Sequence, residues 1–147
     1  MVYIDWLNQM EKDMDVKAVL NDMFDNGLDD FITKFIISGK RTMVFEVDHG
    51  KFERETHYLY CERYSNSMCS NIEIYLCRID HATEEVLEQE QLVLYDTCND
   101  AWDIFYDQFY NEDREHLSQD KLDKMFDEQY NDILINDISD ILASYCE

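Results

Sequence analysis

Ten apolar residues near the end of the chain, Leu122, Met125, Phe126, Tyr130, Ile133, Leu134, Ile138, Ile141, Leu142 and Tyr145, recur at three- and four-residue steps. A stripe sustained over about six turns specifies one long amphipathic helix, and such a helix needs an apolar partner to lie on. A shorter stripe precedes it. Trp102, Phe105, Tyr106, Phe109 and Tyr110 stand at i, i+3, i+4, i+7 and i+8, and Thr97-Cys98-Asn99-Asp100 reads as a variant capping box at its start. Helical spacing returns at the other end of the chain. Trp6, Leu7, Met10 and Met14, then Val16, Val19, Leu20, Met23 and Phe24, predict helix, with Asp15 as a cap or kink and Asn26-Gly27 as the stop. Leu28, Phe31, Ile32, Phe35 and Ile36 predict another, closed by Gly39.

Between Arg41 and Tyr95 the apolar period falls to two. Met43, Phe45 and Val47 alternate with Val44, Glu46 and Asp48. Asp48-His49-Gly50-Lys51 then supplies turn chemistry, and Phe52, Arg54, Thr56, Tyr58 and Tyr60 alternate with Glu53, Glu55, His57, Leu59 and Cys61. After a loop from Ser65 to Asn71, Ile72, Ile74 and Leu76 mark a third strand. Val86 to Tyr95 suits a fourth, although Glu84 to Gln91 is rich in helix formers and leaves both structures open. The expected fold class is α+β: N-terminal helices, a four-stranded antiparallel meander and two C-terminal helices in a single acidic domain spanning residues 1–147.

Charge narrows the function classes. Thirty-four Asp and Glu against 12 Lys and Arg give a formal net charge of −22. Disorder is not the expectation, because 46% of residues are hydrophobic and 14% aromatic, enough to build a core. So negative a chain repels polyanions, which argues against direct nucleic acid or membrane binding. No signal peptide or apolar span of 18 residues stands out, so the expected location is cytoplasmic, that of the host cell if the protein is phage-encoded. Five cysteines with no C-x-x-C predict free thiols.

Catalytic constellations are not found. Gly27, Gly39 and Gly50 are isolated, so no phosphate-cradling loop is present. Asp22 to Gly27 lacks calcium-loop chemistry, because Phe24 stands at the third position and Thr33 where a bidentate Glu is required. Glu112 and His116 lack the second Glu-x-x-His of a di-metal site. His57 and Cys61, four residues apart on a strand, are separated by about 13 Å, too far for a dyad. The expectation is a non-enzyme with no catalytic residue, no metal site and no cofactor.

Placement of the acids is more informative. Residues 97–147 hold fourteen acids against three bases, half the net charge in a third of the chain. Asp100, Asp103 and Asp107 fall on the sides of the aromatic helix away from its stripe. Asp120, Asp123, Asp127, Glu128, Asp132, Asp137 and Asp140 do so on the long one. Three- and four-residue steps bring carboxylates to roughly 4.5–6 Å along a helix, which destabilises it by a few tenths of a kcal/mol per pair. A role in binding a partner would account for that arrangement. In duplex DNA, with one charge per ~1.7 Å, 22 charges occupy roughly 37 Å, close to the ~38 Å diameter of a domain this size.

In charge, size and composition the whole chain resembles phage-encoded acidic DNA-mimic inhibitors of the anti-restriction and anti-CRISPR class. That resemblance implies an inhibitor docking a basic nucleic-acid-binding protein, a nuclease or defence effector, through the ten acids above. The same features suit an immunity protein or antitoxin capping a basic nuclease toxin, or an acidic domain without inhibitory role, and they allow a homo-oligomer.

Overall fold

The computed structural model describes residues 15–46, 55–65, 69–80, 83–113 and 117–147. The helix expected at Trp6–Met14, the turn at Asp48–Lys51, the start of the second strand at Phe52–Arg54 and His116 lie outside them. The described chain runs α1 (Val16–Asp25), α2 (Leu28–Ser38), β1 (Thr42–Glu46), β2 (Glu55–Ser65), β3 (Ser70–Asp80), β4 (Val86–Asp96), α3 (Asp100–Asp113) and α4 (Gln119–Ser144). It is an α+β fold in which a four-stranded antiparallel sheet follows chain order, β1-β2-β3-β4.

Local chemistry sets the helix boundaries. Asp15 caps α1 by accepting from the Ala18 amide at 3.1 Å. Gly27 and Gly39 hold φ of 96° and 67° on either side of α2, a left-handed backbone that glycine adopts without Cβ strain. Ser118 caps α4 through the Lys121 amide. The expected capping box before α3 is corrected in detail. Asn99, not Thr97, is the cap, its Oδ1 accepting from the Trp102 amide at 3.1 Å. Thr97 is buried instead, its hydroxyl donating to the Ser70 carbonyl at 3.1 Å while accepting from the Ser70 amide at 2.6 Å.

The segment that could have been helix is strand β4. Its register with β3 pairs Ile72 with Tyr95 and Ile74 with Val93, then slips by a bulge that inserts Leu92. Leu92 and Val93 are both buried, whereas a regular strand sends neighbouring side chains to opposite faces. Across the sheet Met43, Cys61, Ile74 and Val93 stand in one row, and Phe45, Leu59 and Leu76 in the next. These rows form the floor of the core. Leu20 and Met23 of α1, Leu28, Ile32, Phe35 and Ile36 of α2, and Leu134, Ile138 and Leu142 of α4 cover it. The opposite face is more open, with Val44 and Leu94 exposed.

The long helix contacts different neighbours at its two ends. Leu122, Phe126, Tyr130, Leu134, Ile138 and Leu142 advance in four-residue steps, so the inward side winds by roughly 200° from first to last at 3.6 residues per turn. The C-terminal half therefore packs on the sheet and α2, and Tyr145 donates to the Leu92 carbonyl at 3.0 Å. The N-terminal half meets α3. Met125, expected in the stripe, lies off this winding line and is exposed.

The free-thiol expectation is also corrected. Cys69 and Cys98 are joined in a disulfide with Cα atoms 5.0 Å apart, while Cys61, Cys77 and Cys146 are free. Extending the Asn71–Asp96 register by two residues puts these cysteines opposite each other, and no sequence spacing signals it.

Leu134→Ala is expected to lower unfolding free energy by about 2–5 kcal/mol, because this fully buried side chain sits where α4 meets the sheet; urea denaturation followed by circular dichroism checks it. Cys98→Ser is expected to cost about 2–4 kcal/mol under oxidising conditions and nothing in excess dithiothreitol, which paired melting curves distinguish.

Candidate functional site

Helices α3 and α4 form an antiparallel hairpin held by aromatic rings. Phe126 stands at its centre, with ring centroids of Phe105, Tyr106, Phe109, Tyr110 and Tyr130 all within 5.3–5.7 Å. Trp102 packs edge-on against Tyr130 at 5.1 Å and Tyr95 at 6.4 Å, joining the hairpin to β4. Edge-on pairs set the negative ring face against the positive edge of the neighbour, adding about 0.5–1.5 kcal/mol each beyond area burial.

The predicted acids fall into separate groups on this scaffold. At 3.6 residues per turn Asp100, Asp103 and Asp107 share one side of α3, next to Tyr106 and Tyr110. Asp120, Asp123 and Asp127 share one side of α4, and all six are exposed. Two observations place these sets on the same flank. The Tyr110 hydroxyl donates to Asp123 Oδ1 at 2.9 Å, and Tyr106 and Asp127 line one cavity. Glu128 and Asp132 lie on the other flank, around a different cavity with Phe109, Glu112 and Met125. Asp137 is half-buried and accepts from the Tyr95 hydroxyl, so it is committed to joining α4 and β4. Asp140 is exposed about 20 Å along α4 from Asp127.

Six carboxylates and two tyrosines thus make a continuous flank. The tyrosines read as core positions in the sequence, yet both are only half-buried here. Their signal was the three-residue spacing of Asp103 to Tyr106 and Asp107 to Tyr110, which puts a carboxylate beside each phenol. Among the described residues, none of these six acids forms an ion pair; the pairs seen are Arg41–Glu62 and Arg78–Glu88, both away from the hairpin. The charge of the hairpin is therefore presented to solvent rather than neutralised within the fold.

Proton affinities follow the same contacts. Burial, reinforced by the hydrogen bond to Asp123, raises Tyr110 above the ordinary tyrosine range, and burial with the bond to Asp137 does the same for Tyr95. Burial pushes the Cys61 thiol up to about 12, which leaves it unreactive near neutrality. Among the described residues no cluster of three or more His, Cys, Asp or Glu could hold a metal ion, and no helix is long and apolar enough to cross a membrane. No family model, curated protein or solved structure matches this chain.

A tyrosine raised in the folded state contributes stability that is complete below the unfolded pKa, about 10, and lost as pH rises through the higher folded value. Tyr95 and Tyr110 are therefore expected to ionise last in an ultraviolet titration at alkaline pH, and Tyr95→Phe and Tyr110→Phe should each delete part of that late component. Early loss of the late component in the wild-type protein would contradict these contacts.

Proposed function

We propose that this protein is an acidic nucleic-acid mimic, which inhibits a basic nucleic-acid-binding enzyme or defence complex by occupying its DNA- or RNA-binding cleft. The observation that carries this reading is the unneutralised flank of α3 and α4. Asp100, Asp103, Asp107, Asp120, Asp123 and Asp127 project there from a hairpin packed by aromatic rings, and none of them has an ion-pair partner among the described residues. Rigidity matters because a preset charge array loses little entropy on docking. Carboxylates attract a basic cleft at long range and raise the association rate, while Tyr106 and Tyr110 supply the amphipathic rings that commonly anchor an interface. Aspartate's short side chain holds each charge near the helix backbone, which keeps the array fixed. Direct contact with nucleic acid is not part of this reading, since the same field repels it.

The test is inhibition of purified DNA- and RNA-cleaving enzymes in competition with their substrates. Inhibition of at least one is expected, weakening about tenfold or more between roughly 50 and 200 mM salt. Changing Asp107, Asp120 and Asp127 together to Lys should abolish it with the circular dichroism spectrum retained. The same change in net charge at Glu84, Glu85 and Glu90 should largely spare it. Inhibition indifferent to salt, or equally sensitive to both triple changes, would reject the hairpin flank as the docking face.

A further inference from the structure

A cavity of about 380 Å³ opens between the end of α2, the β2–β3 end of the sheet and the α3–α4 hairpin. At its polar end lies Arg63 of β2. The guanidinium donates through Nη1 to the Ile36 carbonyl at 2.9 Å, through Nη2 to Ser70 Oγ at 3.3 Å and through Nε to Ser65 Oγ at 3.1 Å. All three acceptors are neutral. Among the described residues no carboxylate stands within ion-pair distance of Arg63, in a chain carrying 34 acids. The Ile36 carbonyl lies in the last turn of α2, and the helix dipole offsets only part of a full positive charge.

A guanidinium has five N–H donors in a planar fork, and three are used here, leaving one on each Nη. Paired guanidinium N–H donors of this kind are what arginine uses to bind both oxygens of an oxyanion. Burial lowers the pKa of Arg63, the sign of a charge withdrawn from water without an anionic neighbour to compensate it. The remaining walls are different in character. Tyr106, Phe126 and Tyr130 give the cavity flat apolar surfaces. A volume of this size falls at the small end of ligand sites, and its walls are shared between these rings and polar groups, Arg63, Ser65, Ser70 and Asn131 among them.

We propose that this cavity is a binding site for a small monocarboxylate with a flat apolar body, the carboxylate paired to Arg63 and the body lying against Tyr106, Phe126 and Tyr130. A single charge is favoured because Asp127 stands at the same cavity and the whole molecule carries −22, so each extra negative charge on a ligand adds repulsion. The site is separate in chemistry from the acidic flank, since it selects an anion where the flank selects a basic protein.

Benzoate is the direct probe, with benzamide as its uncharged isostere and inorganic phosphate as an oxyanion lacking the apolar body. In ¹⁵N–¹H correlation spectra of the full chain, benzoate is expected to shift the amides around Arg63, Ser65 and Ser70 saturably, in about the millimolar range. Benzamide and phosphate should bind at least about tenfold more weakly. Arg63→Met should lose benzoate by at least about tenfold. Because Arg63 also holds the end of α2, that variant could unfold, so Asp127→Asn is the second arm. It removes an exposed carboxylate at the cavity and should tighten benzoate roughly threefold. Benzoate and benzamide binding alike, phosphate binding more tightly than benzoate, or Asp127→Asn leaving benzoate affinity unchanged would each overturn the proposal.

Discussion

The winding of the buried side of α4 is the constraint on which the other elements depend. A helix whose apolar stripe ran straight would have one neighbour. Here four-residue steps from Leu122 to Leu142 turn the inward face by roughly 200°, so one rod serves two layers. Leu134, Ile138 and Leu142 close the core over the sheet beside α2, and Phe126 and Tyr130 reach out to α3. Without that turn, α3 would have no apolar surface to rest on, because its own rings meet the rest of the fold mainly through α4 and Tyr95.

A second fixing point lies where β3 begins and β4 ends. Ser70 and Thr97 bond each other through backbone and hydroxyl, Thr97 also meets the Tyr130 hydroxyl at 3.0 Å, and Cys69 is covalently joined to Cys98 one residue further on. Three kinds of interaction therefore converge just before Asn99 caps α3. Their joint effect is to set the exit direction of the chain from the sheet, and with it the position of the aromatic hairpin. The Arg63 cavity borders the same junction, sharing Cys69, Ser70 and Tyr130 in its lining.

Most of the architecture was legible because the apolar period reports it directly. The switch at Arg41 from helical to alternating spacing, and back after Tyr95, separates helices from sheet, and the two glycines with positive φ mark the ends of α2. Residues 86–91 were ambiguous for a physical reason: edge-strand Glu and Gln side chains face solvent and carry no alternation, so local propensity favours helix while the ladder with β3 decides for strand. Thr97 is ambiguous from sequence because a hydroxyl three residues before the first residue of a helix can serve either a cap or a cross-strand bond, and only the register reveals which. The Cys69–Cys98 bond and the isolation of Arg63 depend on contacts between distant parts of the chain, and nothing at the level of spacing encodes them. The acids were visible as a list, but their division between two flanks, with Asp137 diverted to Tyr95, required the hairpin geometry.

The acidic flank and the aromatic centre are linked energetically. Carboxylates one turn apart repel by a few tenths of a kcal/mol per pair, and on α3 and α4 Lys124, one turn from Asp120, Asp127 and Glu128, offsets only part of that repulsion. A hairpin joined only by propensity would not hold them, since an isolated helix as short as α3, 14 residues, is marginal in water. Phe126 supplies the opposing term, with five ring neighbours whose geometry-dependent attraction adds to the burial of their area. The tyrosines at the edge of that cluster do both jobs at once: the Tyr110 ring faces Phe126 while its hydroxyl gives Asp123 a hydrogen bond that steadies the carboxylate without cancelling its charge. Replacing these rings with aliphatic side chains would keep an apolar seam but lose the hydroxyl, leaving the charge on a longer tether of thermal motion. Aromatic packing is thus what permits the C-terminal third to carry half the net charge of the chain in a fixed arrangement.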